Sequence, residues 1–293
     1  MQTNQRTRLA QRLKEPRLVI APGVFDGISV KLAQQAGAEA LYMTGYGSVA
    51  SALGLPDAGL ATYSEMVDRV TVLAGATSLP LICDADTGYG GLINLRRTVR
   101  GYEAAGAAAI QIEDQEFPKK CGHTLGRRVI PITDMVRKIR VAVESRSDAD
   151  FLIIARTDAR TTLGLDEALR RGEAYARAGA DRLFIESPET EDELRAIGQA
   201  FDTPLVANMV EGGRTPVLPP AALQSLGFRL AIHPATGFLS MGKALQTAYA
   251  RLLAGQPANP ATLFDFKEFH KLVGFEDIWT FEQRFPEVQD TPP

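Results

Sequence analysis

Eight short apolar runs, separated by helix-like stretches, constrain this chain more than any other feature. They read "RLVIAP", "ALYMT", "PLICD", "AIQIE", "FLIIAR", "RLFIES", "PLVANM" and "RLAIHP". Each is nearly continuous in apolar residues, the pattern of parallel strands buried on both faces. Three junctions are alike: "AQQAGAEALYMT", "YEAAGAAAIQIED" and "YARAGADRLFIES" each run from a helix end through Ala-Gly-Ala into a strand. Gly37, Gly106 and Gly179 then sit just past a helix, where a left-handed backbone ends it without a Cβ penalty. Eight such strands alternating with helices close most simply as a single α/β domain, a (β/α)8 TIM barrel over roughly residues 17–255. An open doubly wound sheet fits less well, because no Gly-rich phosphate fingerprint follows the first strand. With 293 residues, 45% of them hydrophobic, the chain can bury a large core without disulfide staples.

Beyond residue 255 the rhythm stops. "GQPANPAT" is turn-rich, and "LFDFKEFHKLVGFEDIWTFEQRF" carries seven Phe or Trp on a short amphipathic segment. That much aromatic surface calls for cover, from the barrel's own helices or from another subunit, and a subunit contact is the expectation. The expected division is a barrel catalytic domain over 1–255 and an aromatic-rich helical extension over 256–293. A net charge of −3 with no basic block argues against nucleic acid or an anionic membrane as partner. The polar opening "MQTNQRTRLAQRLKEPR" and the lack of a run of about 20 apolar residues lead to an expected cytoplasmic location. Cys83 and Cys121, the two cysteines, are read as thiols.

In barrel enzymes the site is built where strands end and loops begin. The polar residues at those ends are Asp26, Thr44, Asp84 and Asp86, Glu113 and Asp114, Arg156 and Asp158, Glu186, Asn208 and Glu211, and His233. A lone Asp at such a place is usually a helix cap. Several converging on one mouth repel each other unless a cation is present, and with Asp57 they point to a hard divalent ion such as Mg2+. Zinc fits poorly, since the chain has three histidines and no His-x-x-x-His spacing. Arg156 suits either a substrate carboxylate or a structural pairing with Glu186 or Asp158. A Schiff-base aldolase would need a lysine on a strand, and none of the eight carries one. Lys119 and Lys120, in the loop after the fourth strand, would attract an anionic substrate. Cys83, on a strand, reads as core.

The ordered set "APGVFDGISVKLAQQAGA", "SALGLPDAGL", "DADTGYGG", "IEDQ", "KKCGH", "ARTDA", "ANMVEGG" and "HPATGF" resembles the isocitrate lyase and phosphoenolpyruvate mutase superfamily over nearly the whole chain. The resemblance implies an Mg2+-dependent barrel, with Mn2+ as a substitute, acting on a small anionic substrate. It also implies a homotetramer, a dimer of dimers whose last helix and tail swap between subunits. Asp84 would ligate the metal directly, while Asp86, Glu113 and Asp57 would hold metal-bound waters. Thr44, Gly45 and Tyr46 would bind the 2-oxo-acid portion, and Arg156 would grip a carboxylate or the oxygen where charge develops. Gly122 and His123 would close over the substrate with Cys121, and Glu186 and Asn208 would line the far side.

Lyases of this group cleave the C2–C3 bond of a 2-hydroxy acid, and Cys121 would protonate the departing carboxylate fragment. Lys119, Lys120, Arg127 and Arg128 would lower its pKa toward the working pH. Tyr46, Asp57 and a metal-bound water all remain candidates for the general base. "NMVEGGRTP" departs from isocitrate lyase proper and is similar to the petal death protein and dimethylmalate lyase branch, which implies a 2-alkylmalate as substrate. The alternatives are 2-methylisocitrate lyase, oxaloacetate hydrolase or decarboxylase, phosphonate mutase and, in another class, a non-catalytic anion-binding barrel.

Overall fold

A computed structural model describes residues 4–286. Eight parallel strands close a barrel in sequence order: β1 (Val19–Val24), β2 (Leu41–Met43), β3 (Leu81–Asp84), β4 (Ala109–Glu113), β5 (Leu152–Thr157), β6 (Arg182–Ile185), β7 (Leu205–Asn208) and β8 (Phe228–His233). β1 pairs with both β2 and β8, so no strand edge is left open. Helices follow each strand, as the apolar rhythm predicts. Gly37, Gly106 and Gly179 take φ of 88°, 102° and 103°, the left-handed conformation expected just past the helix ends.

Strand side chains alternate between two cores. Leu41, Leu81, Cys83, Ile110, Ile112, Ile153, Leu183 and Leu205 face the helices. Tyr42, Ile82, Ala109, Ile154, Phe184 and Val206 fill the barrel, closed below by Leu9 and Leu13 from the helix Gln5–Arg12 and the residue that caps it. Cys83 is therefore core, as its place on a strand suggests. The same period of two continues past the plug. Two positions beyond Tyr42, Ile82, Ile154, Phe184 and Val206 come Thr44, Asp84, Arg156, Glu186 and Asn208, so strand geometry alone collects these five polar residues at the mouth.

The chain divides into two compact units after Leu239, inside the helix Thr236–Leu253. Within the second unit, the helices Phe266–Val273 and Phe275–Arg284 gather Phe266, Phe275 and Trp279 around His270. Much of its apolar surface stays open, with Leu253 88% and Phe266 74% exposed. Among the described residues, no helix is long and apolar enough to cross a membrane.

Closure between β1 and β8 depends on Gly23, where an added Cβ would lie 2.5 Å from the Pro234 carbonyl oxygen. Backbone faces backbone there, so no side chain can swing aside. Gly23→Ala is expected to cost about 1–3 kcal/mol, read as a lower midpoint in urea denaturation; an unchanged midpoint would contradict this close approach.

Candidate active site

The mouth of the barrel holds a cavity of about 220 Å³ lined by Thr44, Tyr46, Asp57, Asp84, Cys121, Gly122, His123, Arg156, Glu186 and Asn208, among others. Ten of the thirteen residues to which the family resemblance gives a site role thus face one space. Gly45, Asp86 and Glu113 stand just behind its wall.

Arg156 is the centre of the charge arrangement. Its Nε and Nη2 each donate to Asp158 at 2.9 Å, Nη2 lies 3.2 Å from Glu186 Oε2, and Nε lies 3.4 Å from Glu113 Oε2. The guanidinium rests over the Phe184 ring, 5.1 Å from its centroid. Burial works against the charge, but Asp158, Glu186 and Glu113 outweigh it and hold Arg156 firmly protonated. Asp158 is itself held in its ionised form by Arg156 and Arg127, against the pull of burial. The structural pairing is therefore realised, and the same guanidinium also lines the cavity.

The acids toward β3 and β4 are less well compensated. Burial raises the pKa of Asp84, opposed by Lys119 and Arg156, and raises that of Glu113 strongly. Asp86, in a left-handed turn with φ of 48°, is pushed up to about 6, again chiefly by burial. Asp84 Oδ1 accepts the Asp86 N–H at 3.0 Å. Its Oδ2 faces Gly45 at the start of the helix Gly45–Leu53, where any Cβ would come within 2.6 Å of it. Thr44 caps that helix by accepting the Gly47 N–H at 3.3 Å.

The loop 115–129 folds over this mouth, closed at its base by a bridge between Gln115 and Val129. Gly122 sits so close to Arg156 and Glu186 that a side chain there would collide with both. His123 Nδ1 accepts the Arg214 N–H at 3.2 Å, and Nε2 lies 3.3 Å from Asn208 Nδ2. Burial holds the His123 pKa down and leaves the ring neutral at pH 7.

Three expectations are corrected by this geometry. First, the cations near Cys121 do not serve its thiol. Lys119 is buried between Asp57 and Asp86, with Nζ bonded to Asp57 and 2.7 Å from Asp86 Oδ1. Lys120 donates to the Gly126 carbonyl, Arg127 pairs with Asp158, and Arg128 pairs with Glu116. Burial accordingly raises the Cys121 pKa instead of lowering it. Second, Lys119 is unavailable to draw in an anionic substrate. Third, Asp114 turns away from the mouth, accepting bonds from Thr157, Arg171 and Tyr175 and from the Asp158 N–H. Asp26 is a helix cap with a reciprocal bond to Ser29. Alternation along the strand places Asp158 two residues beyond Arg156, but the roles of Lys119, Arg127 and Ser187 depend on loop contacts that carry no periodic signal.

The chain matches the phosphoenolpyruvate phosphomutase family over residues 9–253. It belongs to that family. It is 46% identical to the 2,3-dimethylmalate lyase of Eubacterium barkeri over 284 residues, covering 96% of this chain and 98% of that protein. It is 40% identical to the 2-methylisocitrate lyase of Aeropyrum pernix, covering 96% and 90%. The solved phosphonopyruvate hydrolase in complex with oxalate and Mg2+ superposes with a TM-score of 0.88 at 32% identity, covering 97% and 100%.

In this member of the phosphomutase family, no group of three or more His, Cys, Asp or Glu side chains among the described residues forms a ready chelate. The donor set still fits a hard, hydrated cation. Asp84 lines the cavity, Glu113 Oε1 is buried without a hydrogen-bond partner, and the acids of this region exceed their cations. Few direct carboxylates plus waters is the usual coordination of Mg2+.

Lys119→Met removes the ammonium that bridges Asp57 and Asp86. In metal-free buffer at pH 7 the expected loss is about 3–5 kcal/mol of stability, from carboxylates left buried and unpaired. Asp86 has a raised folded-state pKa, so its ionisation costs stability as pH rises from its unfolded value through about 6. The deficit of the variant should therefore be smaller at pH 5 than at pH 7 in urea titrations. A deficit that grows on acidification would contradict the pairing.

Proposed function

We propose that this protein is an Mg2+-dependent carbon–carbon lyase that cleaves the C2–C3 bond of a 2-hydroxy dicarboxylate of the 2-alkylmalate type. The observation that carries the proposal is the seating of Cys121 on the same cavity as Asp84 and Arg156. The 46% identity to a 2,3-dimethylmalate lyase supports the same reading.

In this reading Asp84 would ligate the ion directly, with Asp86, Glu113 and Asp57 behind it on water. Bound there, Mg2+ would polarise the oxygens of the 2-hydroxy acid as a Lewis acid. Thr44, Gly45 and Tyr46 bring the positive end of a helix to the same place, which suits the carboxylate beside C2. Arg156 would bind a carboxylate oxygen of the departing fragment, which gains charge as the C2–C3 pair moves onto it. The base removes the C2 hydroxyl proton, the C2–C3 pair moves onto the second carboxylate fragment, and Cys121 gives C3 its proton. Tyr46 would be that base in its phenolate form, the bound cation supplying the positive charge that loss of the phenol proton requires. Its hydroxyl has no protein partner among the described residues, whereas Asp57 is held by Lys119. A raised thiol pKa fits the donor role, since burial keeps Cys121 protonated at neutral pH.

Substrate class follows from the opposite wall. Val210, Ile232, Pro234, Ala235 and Leu239 are apolar, and Arg156 and the neutral His123 are the basic side chains on the cavity. Arg156 already faces three carboxylates. An alkyl substituent meets its like on that wall, while the third carboxylate of 2-methylisocitrate finds no cation there. Assembly is part of the proposal: the exposed aromatic surface after Leu239 would be covered in a homotetramer of swapped dimers, for which sedimentation should give four times the chain mass.

The test is a panel of 2,3-dimethylmalate, 2-methylisocitrate, oxaloacetate and phosphonopyruvate with Mg2+. The expected result is highest kcat/KM on 2,3-dimethylmalate with release of pyruvate, loss on chelation, and a fall in kcat of about 10²–10⁴ for Cys121→Ser. Cleavage of none of the 2-hydroxy acids, or full activity after metal stripping, would overturn it.

A further inference from the structure

Ser187 follows β6 and Glu186, is fully buried, and has φ of 58°. A non-glycine residue there is uncommon, and it persists where surrounding contacts over-determine it. Glycine would adopt this backbone without strain, so the side chain itself is what holds serine at the position. Its Oγ donates to the Gly122 carbonyl at 2.9 Å. Among the described residues it is the one side chain outside the loop that bonds the backbone of residues 121–124.

The same hydroxyl lies 3.1 Å from Glu186 Oε1, and Arg127 Nη2 donates into it at 3.4 Å. One hydrogen therefore has two acceptors, the loop carbonyl and a fixed carboxylate. Arg127 bonds Asp158, and Asp158 holds Arg156 through two bonds. Whatever Ser187 grips is registered against the frame that fixes Arg156.

We propose that Ser187 is a positioning residue whose hydroxyl latches the Cys121 loop to the barrel mouth and turns to Glu186 when the loop lifts. The closed loop then places the thiol over C3 without an added charge, and the open loop leaves no buried hydroxyl unsatisfied. The consequence for turnover rests on the lyase reading; the latch itself does not.

Two variants separate the latch from backbone geometry. Ser187→Gly removes the hydroxyl and relieves the left-handed strain, whereas Ser187→Ala removes the hydroxyl and keeps it. Loop opening is read without ligand from the reaction of Cys121 with an aromatic disulfide, since Cys83 is fully buried, and from tryptic cleavage after Lys120. Loss of one hydrogen bond should raise both rates roughly three- to tenfold in either variant. The melting temperature of Ser187→Gly should not fall, and kcat/KM on 2,3-dimethylmalate should drop by a similar factor. Wild-type thiol and cleavage rates in Ser187→Gly would overturn the latch, even if Ser187→Ala unfolds. Raised rates in variants of a protein that cleaves no 2-hydroxy acid would support the latch and overturn the lyase reading instead.

Discussion

The structure depends on a guanidinium held in a ring of acids. Arg156 stands on Phe184 and touches Asp158, Glu186 and Glu113, so it is fixed in position and in charge. Counting its surroundings, six buried carboxylates (Asp57, Asp84, Asp86, Glu113, Asp158 and Glu186) face three buried cations (Lys119, Arg127 and Arg156). Such an excess is unfavourable in a low-dielectric mouth, where burial raises the pKa of Asp84, Asp86 and Glu113. It also sets the site's chemistry. An anionic substrate entering here would need further positive charge, which the divalent ion proposed beside Asp84 would supply.

Much of this was legible in the sequence because strands have a period of two. Once "PLICD", "FLIIAR", "RLFIES" and "PLVANM" are read as barrel strands, Asp84, Arg156, Glu186 and Asn208 must share the inward face at one end. The Ala-Gly-Ala turns were equally plain, since only a left-handed residue closes those helices so tightly. Charge pairing was not legible. Composition places Lys119, Lys120, Arg127 and Arg128 near Cys121, yet each finds another partner through a fold of the loop that no local pattern encodes. Asp114 likewise differs from Glu113 by one residue and faces the opposite side of the strand.

That correction changes the meaning of the cysteine. A thiol surrounded by free cations would be a thiolate and a base. A thiol under a closed loop, with its cations engaged elsewhere and Gly122 flush against Arg156, keeps its proton and can give it away. In the proposed lyase reaction the loop and the strand ends would perform different halves: the strands would hold charge as the carbon–carbon bond breaks, and the loop would supply hydrogen to the fragment that leaves.

The central claim is this directed protonation at C3. Cleavage of 2,3-dimethylmalate in D2O, with the product propionate analysed by NMR, tests it most directly. One deuterium at C2 of propionate, on a single prochiral face, is the predicted result. A racemic mixture of the monodeuterated product would contradict it, because the fragment would then have met solvent and not a thiol held on one side.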